Sequence, residues 1–167
     1  QTEGLKKADR FLEQLKRQEN QPIRELVATP ILLSLICSVF QEKSVFPTKR
    51  FKLYQEGLDI LLVRWDRARG IQRDQTYQNL SLSDKIKLLS HIAATNFHRG
   101  NYFFEKSEVL NIIADYLVTL PDTDRDPETL WLDSEAVLRA IEVQHGLLVE
   151  KARGIYSFSH LTFQEYL

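Results

Sequence analysis

Apolar positions at helical spacing dominate the first 70 residues of the chain. They recur every three or four residues and are interrupted at Pro22, Pro30 and Pro47, which predicts several helices with short loops. Thr48 is the predicted N-cap of the last helix, and residues 31–40 are apolar nearly all round, as in a buried helix. The other predicted apolar faces are formed by Leu5, Phe11, Leu12 and Leu15, and by Phe51, Tyr54, Leu58, Leu61, Leu62 and Trp65.

Three amphipathic helices are predicted after a polar stretch, residues 71–82, that we interpret as a linker. Ser83 is the predicted N-cap of the first of them, and Asp133 or Ser134 of the third, because these side-chain oxygens can accept a free backbone amide at a helix start. Gly146 is predicted to end the third helix, since glycine adopts the left-handed conformation that closes many helices. We expect the acidic stretch before the third helix to be a loop.

A β-hairpin is predicted after these helices. Residues 147–150 and 155–158 form two short extended runs, and Gly154 lies near the bend between them. A further helix is predicted to open around residues 159–162. Three helices, a two-stranded hairpin and another helix is the order of a winged helix, which is a helix-turn-helix followed by a hairpin called the wing.

The predicted fold class is therefore mainly α, with a helical bundle followed by a winged-helix domain that has a small β-hairpin. We assign residues 1–70 to the helical domain, residues 71–82 to a linker and residues 83–167 to the winged-helix domain. Because the chain ends inside a predicted helix, we expect that domain to be truncated there. We also expect the chain to be an excerpt of a longer protein.

Charge and cysteine content narrow the functional classes. The 167 residues carry a net charge of -1, which argues against a whole-surface binder of nucleic acids or anionic membranes. The single cysteine, Cys37, cannot form an internal disulfide, so a reducing, cytoplasmic setting is favoured. The most apolar stretch is about half the length of a membrane span, and the N-terminus is not a signal peptide, so we predict no membrane partner.

The sequence has no motif for nucleotide hydrolysis or metal binding. Its glycines are not arranged as G-x-x-x-x-G-K-[ST] or G-x-G-x-x-G, so it contains no phosphate-binding loop. Asp122, Asp124 and Asp126 alternate as in an EF-hand, but Pro127 stands where that loop needs glycine, so we favour a solvated loop over a calcium site. We predict no catalytic residue, no metal site and no enzyme activity for this chain by itself.

A winged helix can also bind DNA, and the charges of the predicted third helix argue against that function. Such a helix would offer cationic or amide side chains to the major groove. Here it has three acidic residues against the single cation Arg139, and the wing adds only Lys151 and Arg153. Phosphates would be repelled by this helix, so nucleic acid is not a predicted partner.

Two segments carry a resemblance to a known family. Residues 145–166, HGLLVEKARGIYSFSHLTFQEY, resemble the winged-helix segment "GLL…YxFxHxxFQEY" that closes NACHT-type NTPase modules. Residues 26–35, LVATPILLSL, resemble the apolar turn of the helical domain in the same modules. The chain is similar to the NACHT branch of the STAND ATPases, in particular to bacterial NLR-like members. The P-loop domain of that family is not in this sequence.

The resemblance implies a regulatory lid. In such proteins the helical and winged-helix domains close over ATP or ADP, with Mg²⁺, bound to an upstream P-loop NTPase domain. Carried over by motif, Pro30 would pack near the adenine, and His160 would donate a ring N–H to the β-phosphate of ADP. ATP would favour an open arrangement that forms a homo-oligomer and passes a cytoplasmic defence signal to an effector.

The residues alone leave other interpretations open. Pro30 is explained as a helix-starting proline, and His160 as a histidine at a helix start or in packing. Phe158, Phe163 and Tyr166 are expected to fill the winged-helix core. Trp65 and Trp131 are expected to pack in a core or between domains. The alternatives to the lid are a DNA-binding winged-helix regulator and a non-catalytic protein-interaction scaffold.

Overall fold

The computed structural model of the chain describes residues 3–68, 80–121 and 125–167. They form two compact units, Gln1–Leu61 and Leu62–Leu167. Most of the predicted linker, residues 71–79, lies outside the described residues, so its assignment stays a prediction.

Helices at proline breaks build the first unit. Pro30 occupies the first turn of its helix and the preceding Thr29 is extended, because proline disfavours helical dihedrals in the residue before it. The last helix begins at Arg50, two residues after the predicted cap Thr48, and continues past Leu61. The elements are α1 (Glu3–Lys16), a 3-10 turn (Gln18–Asn20), α2 (Gln21–Arg24), a second 3-10 turn (Glu25–Ala28), α3 (Pro30–Lys43) and α4 (Arg50–Ala68).

The core of the first unit is aromatic at its centre. Phe11, Phe40 and Phe46 contact one another, with ring centroids 5.0 to 5.3 Å apart. The predicted apolar face of α1 is only partly used, since Phe11 packs on this core while Leu5 and Leu12 are exposed. The buried members of the core are Ile23, Ile36, Val39, Phe40, Phe46, Leu53 and Ile60.

The second unit has the winged-helix order, which confirms the predicted fold class. A short strand, Phe104–Glu105, pairs with the hairpin, so the antiparallel sheet has the order β1-β3-β2. The elements are α5 (Leu82–His98), β1 (Phe104–Glu105), α6 (Lys106–Val118), α7 (Pro127–Ala140), a π-helical turn (Ile141–His145), β2 (Leu148–Ala152), β3 (Ile155–Phe158) and α8 (Leu161–Tyr166).

Two predicted helix caps in this unit are wrong. Helix α7 begins at Pro127, where the Asp126 side chain accepts the Thr129 amide at 3.0 Å, because proline already has the dihedral of a first helical residue. Ser134 is therefore inside the helix, and its hydroxyl donates to the Leu130 carbonyl. Helix α5 is capped by Ser81 rather than Ser83.

The glycine predictions for this unit are confirmed. Gly146 closes the π-helical turn with a φ of +59°, and Gly154 turns the hairpin with a φ of +75°. Phe158 and Phe163 are buried, as predicted, whereas Tyr166 is half-buried. Trp131 is 43% exposed and is not part of this core. The Trp65 side chain lies outside the described residues.

No helix in the described part of the chain combines the length and apolar character needed to cross a lipid bilayer.

Candidate functional site

A groove of about 280 Å³ lies at the foot of the hairpin in the second unit. Its lining includes Tyr102 and Phe103 from the turn after α5, and Lys151 and Ser157 from β2 and β3. His160, at the start of α8, also lines the groove. The predicted phosphate-binding histidine therefore borders an open, partly apolar groove.

The His160 side chain is the N-cap of α8. Its Nδ1 accepts the backbone N–H of Thr162 at 3.2 Å, and the half-buried residue itself has an extended backbone. An imidazole nitrogen that accepts a hydrogen bond carries no proton, so this contact assigns the neutral tautomer with its proton on Nε2. His160 is thus the helix-start residue that the pattern indicated, and it keeps one N–H donor for a second partner.

A buried amide fixes the aromatic wall of the groove. The Gln164 side chain, on α8, donates from Nε2 to the Asn101 carbonyl at 3.0 Å and is almost fully buried. This bond ties the turn that carries Tyr102 and Phe103 to the helix that His160 caps. The two aromatic side chains are about half exposed or more, so their faces are open to a ligand or a neighbouring domain.

The two serines of the groove differ in what their hydroxyls do. Ser157 Oγ donates to the Phe158 carbonyl, so its proton is already used. The Ser159 backbone amide closes the base of the hairpin, where it donates to the Leu147 carbonyl at 2.9 Å. Its buried Oγ has no hydrogen-bond partner among the residues that the structure describes.

The order of elements in the second unit agrees with one known family. The match to the sequence model of this family, described as the winged helix-turn-helix domain C-terminal to NACHT, covers residues 50–167 and says nothing about the groove. The chain belongs to this family. No curated protein and no solved structure gives a significant match. The resemblance stated from the motif is confirmed, and this NACHT-associated winged helix is a non-catalytic part.

The family match starts earlier than the winged-helix domain was predicted to start. It includes α4, which the sequence analysis assigned to the helical domain 1–70. Pro30 precedes the matched region and lies in the first unit. His160 lies within the matched region and in the second unit. Pro30 is exposed at the first turn of α3, so its ring is available for contact.

The helix that would enter a DNA groove presents acidic and apolar side chains instead. Glu135 on α7 accepts a hydrogen bond from Lys106 at 2.6 Å, and Glu142 accepts one from the Tyr156 hydroxyl at 3.3 Å. Trp131 and Leu132 are exposed on the same helix. A phosphate backbone would be repelled by this surface, which is the physical basis of our prediction that DNA is not a partner.

The described residues contain no group of three metal-ligating side chains. Of the alternating aspartates, Asp122 and Asp124 lie outside the described residues. Asp126 is engaged as the cap of α7, and the hydrogen bonds from Thr129 hold the pKa of its carboxyl below the usual range. The metal prediction for the loop therefore stays a prediction.

Sequence reasoning missed three residues that line the groove. Tyr102 and Phe103 belong to no sequence motif that indicates a binding site. Their position in the groove depends on the turn that the Gln164 side chain holds through the Asn101 carbonyl. Lys151 was considered only as a wing cation for DNA, although it lines the same groove as His160. The run of adjacent aromatics between Gly100 and the next helix was the available signal for an exposed apolar wall.

Proposed function

We propose that this chain is a regulatory lid that closes over a nucleotide bound to an upstream NACHT P-loop domain. His160 donates its Nε2 proton to the β-phosphate of ADP in the closed state. The observation that carries the proposal is the hydrogen bond from the Thr162 amide to Nδ1, because it leaves Nε2–H as the donor at the rim of an open groove.

The His160 contact favours the closed state only when ADP is bound. A hydrogen bond from a neutral imidazole to a charged phosphate oxygen contributes about 1.5–3 kcal/mol. A contact made in one of two conformations shifts the population toward that conformation. In this proposal ATP, with Mg²⁺ ligated outside this chain, favours the open form, which assembles as a homo-oligomer for cytoplasmic defence signalling.

Pro30 takes the second contact with the nucleotide in this proposal. Its exposed ring at the start of α3 is a flat apolar surface that can pack against an adenine. The residue donates no backbone hydrogen bond, so its role is contact rather than polar recognition.

The test is the rate of ADP release from the longer protein that carries this chain behind its NACHT domain. His160→Asn keeps an N-cap oxygen for the Thr162 amide but is too short to reach a phosphate with the donor that Nε2 supplies. We expect about tenfold faster ADP release from this variant, with an unchanged melting temperature.

His160→Ala is the matched control, because it removes both the cap and the donor. It is expected to release ADP as fast as the asparagine variant and also to lose about 1 kcal/mol of stability. If only the alanine variant releases ADP faster, the residue acts as a cap alone and the lid proposal is wrong.

A further inference from the structure

The strand β2 contains an extra residue at Lys151. In the hairpin, Glu150 pairs with Tyr156 and Ala152 pairs with Ile155, so Lys151 has no opposite residue. This irregularity is a β-bulge, which inserts one residue into one strand and re-aims the side chains around it. Lys151 is therefore placed by a backbone feature and not by the regular alternation of a strand.

The two cations of the wing lie on different backbone elements. Lys151 is in the strand β2, and Arg153 is in the turn that follows it. Lys151 lines the groove with His160, whereas Arg153 lines a separate cavity beside Trp131. The His160 groove therefore contains one of these two cations, and the other lies outside it.

Lys151 has no ion-pair partner among the residues that the structure describes. The neighbouring carboxylate, Glu150, is engaged in the hairpin turn, where its Oε1 accepts the Gly154 amide at 2.7 Å. By contrast, Lys106 on the opposite side of the wing is held by Glu135 at 2.6 Å. The exposed ammonium group of Lys151 is therefore available to an anion in the groove.

We propose that Lys151 is a second phosphate-binding residue of this groove. Its ammonium group contacts the same phosphate that accepts the Nε2–H of His160, and the two donors approach from β2 and from the start of α8. The inference rests on the proposed function, since it takes the nucleotide phosphate as the anion. It adds a charged contact, which makes ADP retention depend on ionic strength.

The experiment compares Lys151→Gln with Arg153→Gln in the longer protein that includes the NACHT domain. Each variant removes one exposed cation of the wing, and only the first lies in the groove. We expect Lys151→Gln to release a fluorescent ADP analogue about tenfold faster at low salt, with the difference shrinking at high salt. Arg153→Gln should stay within about twofold of the unmodified protein, and Lys151→Arg should restore slow release.

The two proposals fail in different ways. If His160→Asn accelerates release while Lys151→Gln behaves like Arg153→Gln, the Lys151 assignment is overturned and the lid stands. If Lys151→Gln accelerates release and His160→Asn does not, Lys151 is the phosphate contact and the His160 role is wrong. If neither variant changes release, both assignments are wrong. Equal melting temperatures for Lys151→Gln, Arg153→Gln and Lys151→Arg would show that a change in ADP release does not come from unfolding.

Discussion

At the residue scale, polar side chains in the second unit serve two purposes at once. His160 caps a helix through Nδ1 and lines the groove, and Glu142 accepts both the Glu150 amide and the Tyr156 hydroxyl. The histidine could be predicted from a motif because its sequence neighbours are distinctive. Glu142 could not, because its partners are 8 and 14 residues away and meet only when the hairpin folds back.

The buried Tyr156 predicts an alkaline loss of stability. Burial, followed by the charges of Glu142 and Glu150, raises the pKa of Tyr156 to about 12, against about 10 in the unfolded chain. The raised value means that the folded state holds the proton more tightly. The stability that protonated Tyr156 contributes is fully present below pH 10 and is lost as the pH rises toward 12. By pH 11 the loss amounts to about 1.4 kcal/mol.

Urea unfolding of the protein and of Tyr156→Phe between pH 8.5 and 11 measures this loss. The phenylalanine variant has no such proton, so the free energies of unfolding of the two proteins should change relative to each other by about 1.4 kcal/mol. A difference that stays constant over this range would contradict the assignment. Lysine titration affects both proteins equally and cancels.

At the element scale, the helices were predictable where apolar spacing and a break coincided. The Asp126-Pro127 start of α7 was also present in the sequence, but Asp133 and Ser134 offered competing caps within the same helix. Strand β1 could not be predicted, because two residues become a strand only through pairing with β3. The bulge at Lys151 could not be predicted either, because a bulge is defined by how the strand pairs with its partner strand.

Helices α3 and α4 pack closely at Gly57. A Cβ at this position would lie 2.5 Å and 2.8 Å from the two methyl carbons of the buried Leu35. Alanine gains about 1 kcal/mol of helix propensity over glycine, but forcing a buried leucine to move costs about 1–3 kcal/mol. Gly57→Ala should therefore destabilise the protein by about 1 kcal/mol in chemical unfolding.

A double-mutant cycle with Leu35→Ala separates the two effects of this change. Once the leucine is shortened, the clash is gone and only the helix propensity remains. In that background Gly57→Ala should stabilise the protein by about 0.5–1 kcal/mol. The same loss of stability in both backgrounds would show that the two helices do not meet at this glycine.

At the scale of the whole molecule, the family match and the compact units divide the chain at different places. The match begins at residue 50, and the second unit begins at Leu62. Helix α4 spans both positions, so it belongs to the family's domain in sequence while its first turns pack in the core of the first unit. The predicted domain limit at residue 70 followed the end of the apolar pattern, and it stays a prediction because residues 69–79 lie outside the described part of the chain.

Without a NACHT domain, this chain should bind ADP only weakly. The sequence has no phosphate-binding loop, and the contacts that we propose with a phosphate are those of His160 and Lys151. Two such contacts of about 1.4 kcal/mol each correspond to a Kd of about 10 mM. At 1 mM ADP this affinity stabilises the fold by less than about 0.1 kcal/mol, so ADP should leave the melting temperature unchanged.

ATP turnover by the purified chain should likewise be absent, because the sequence has no phosphate-binding loop. The matched sample is the longer protein with its NACHT domain, in which ADP should raise the melting temperature by several degrees. Turnover that stays with the isolated chain through size-exclusion chromatography would overturn the assignment of a lid. A rise in its melting temperature with ADP would place a complete nucleotide site within these 167 residues.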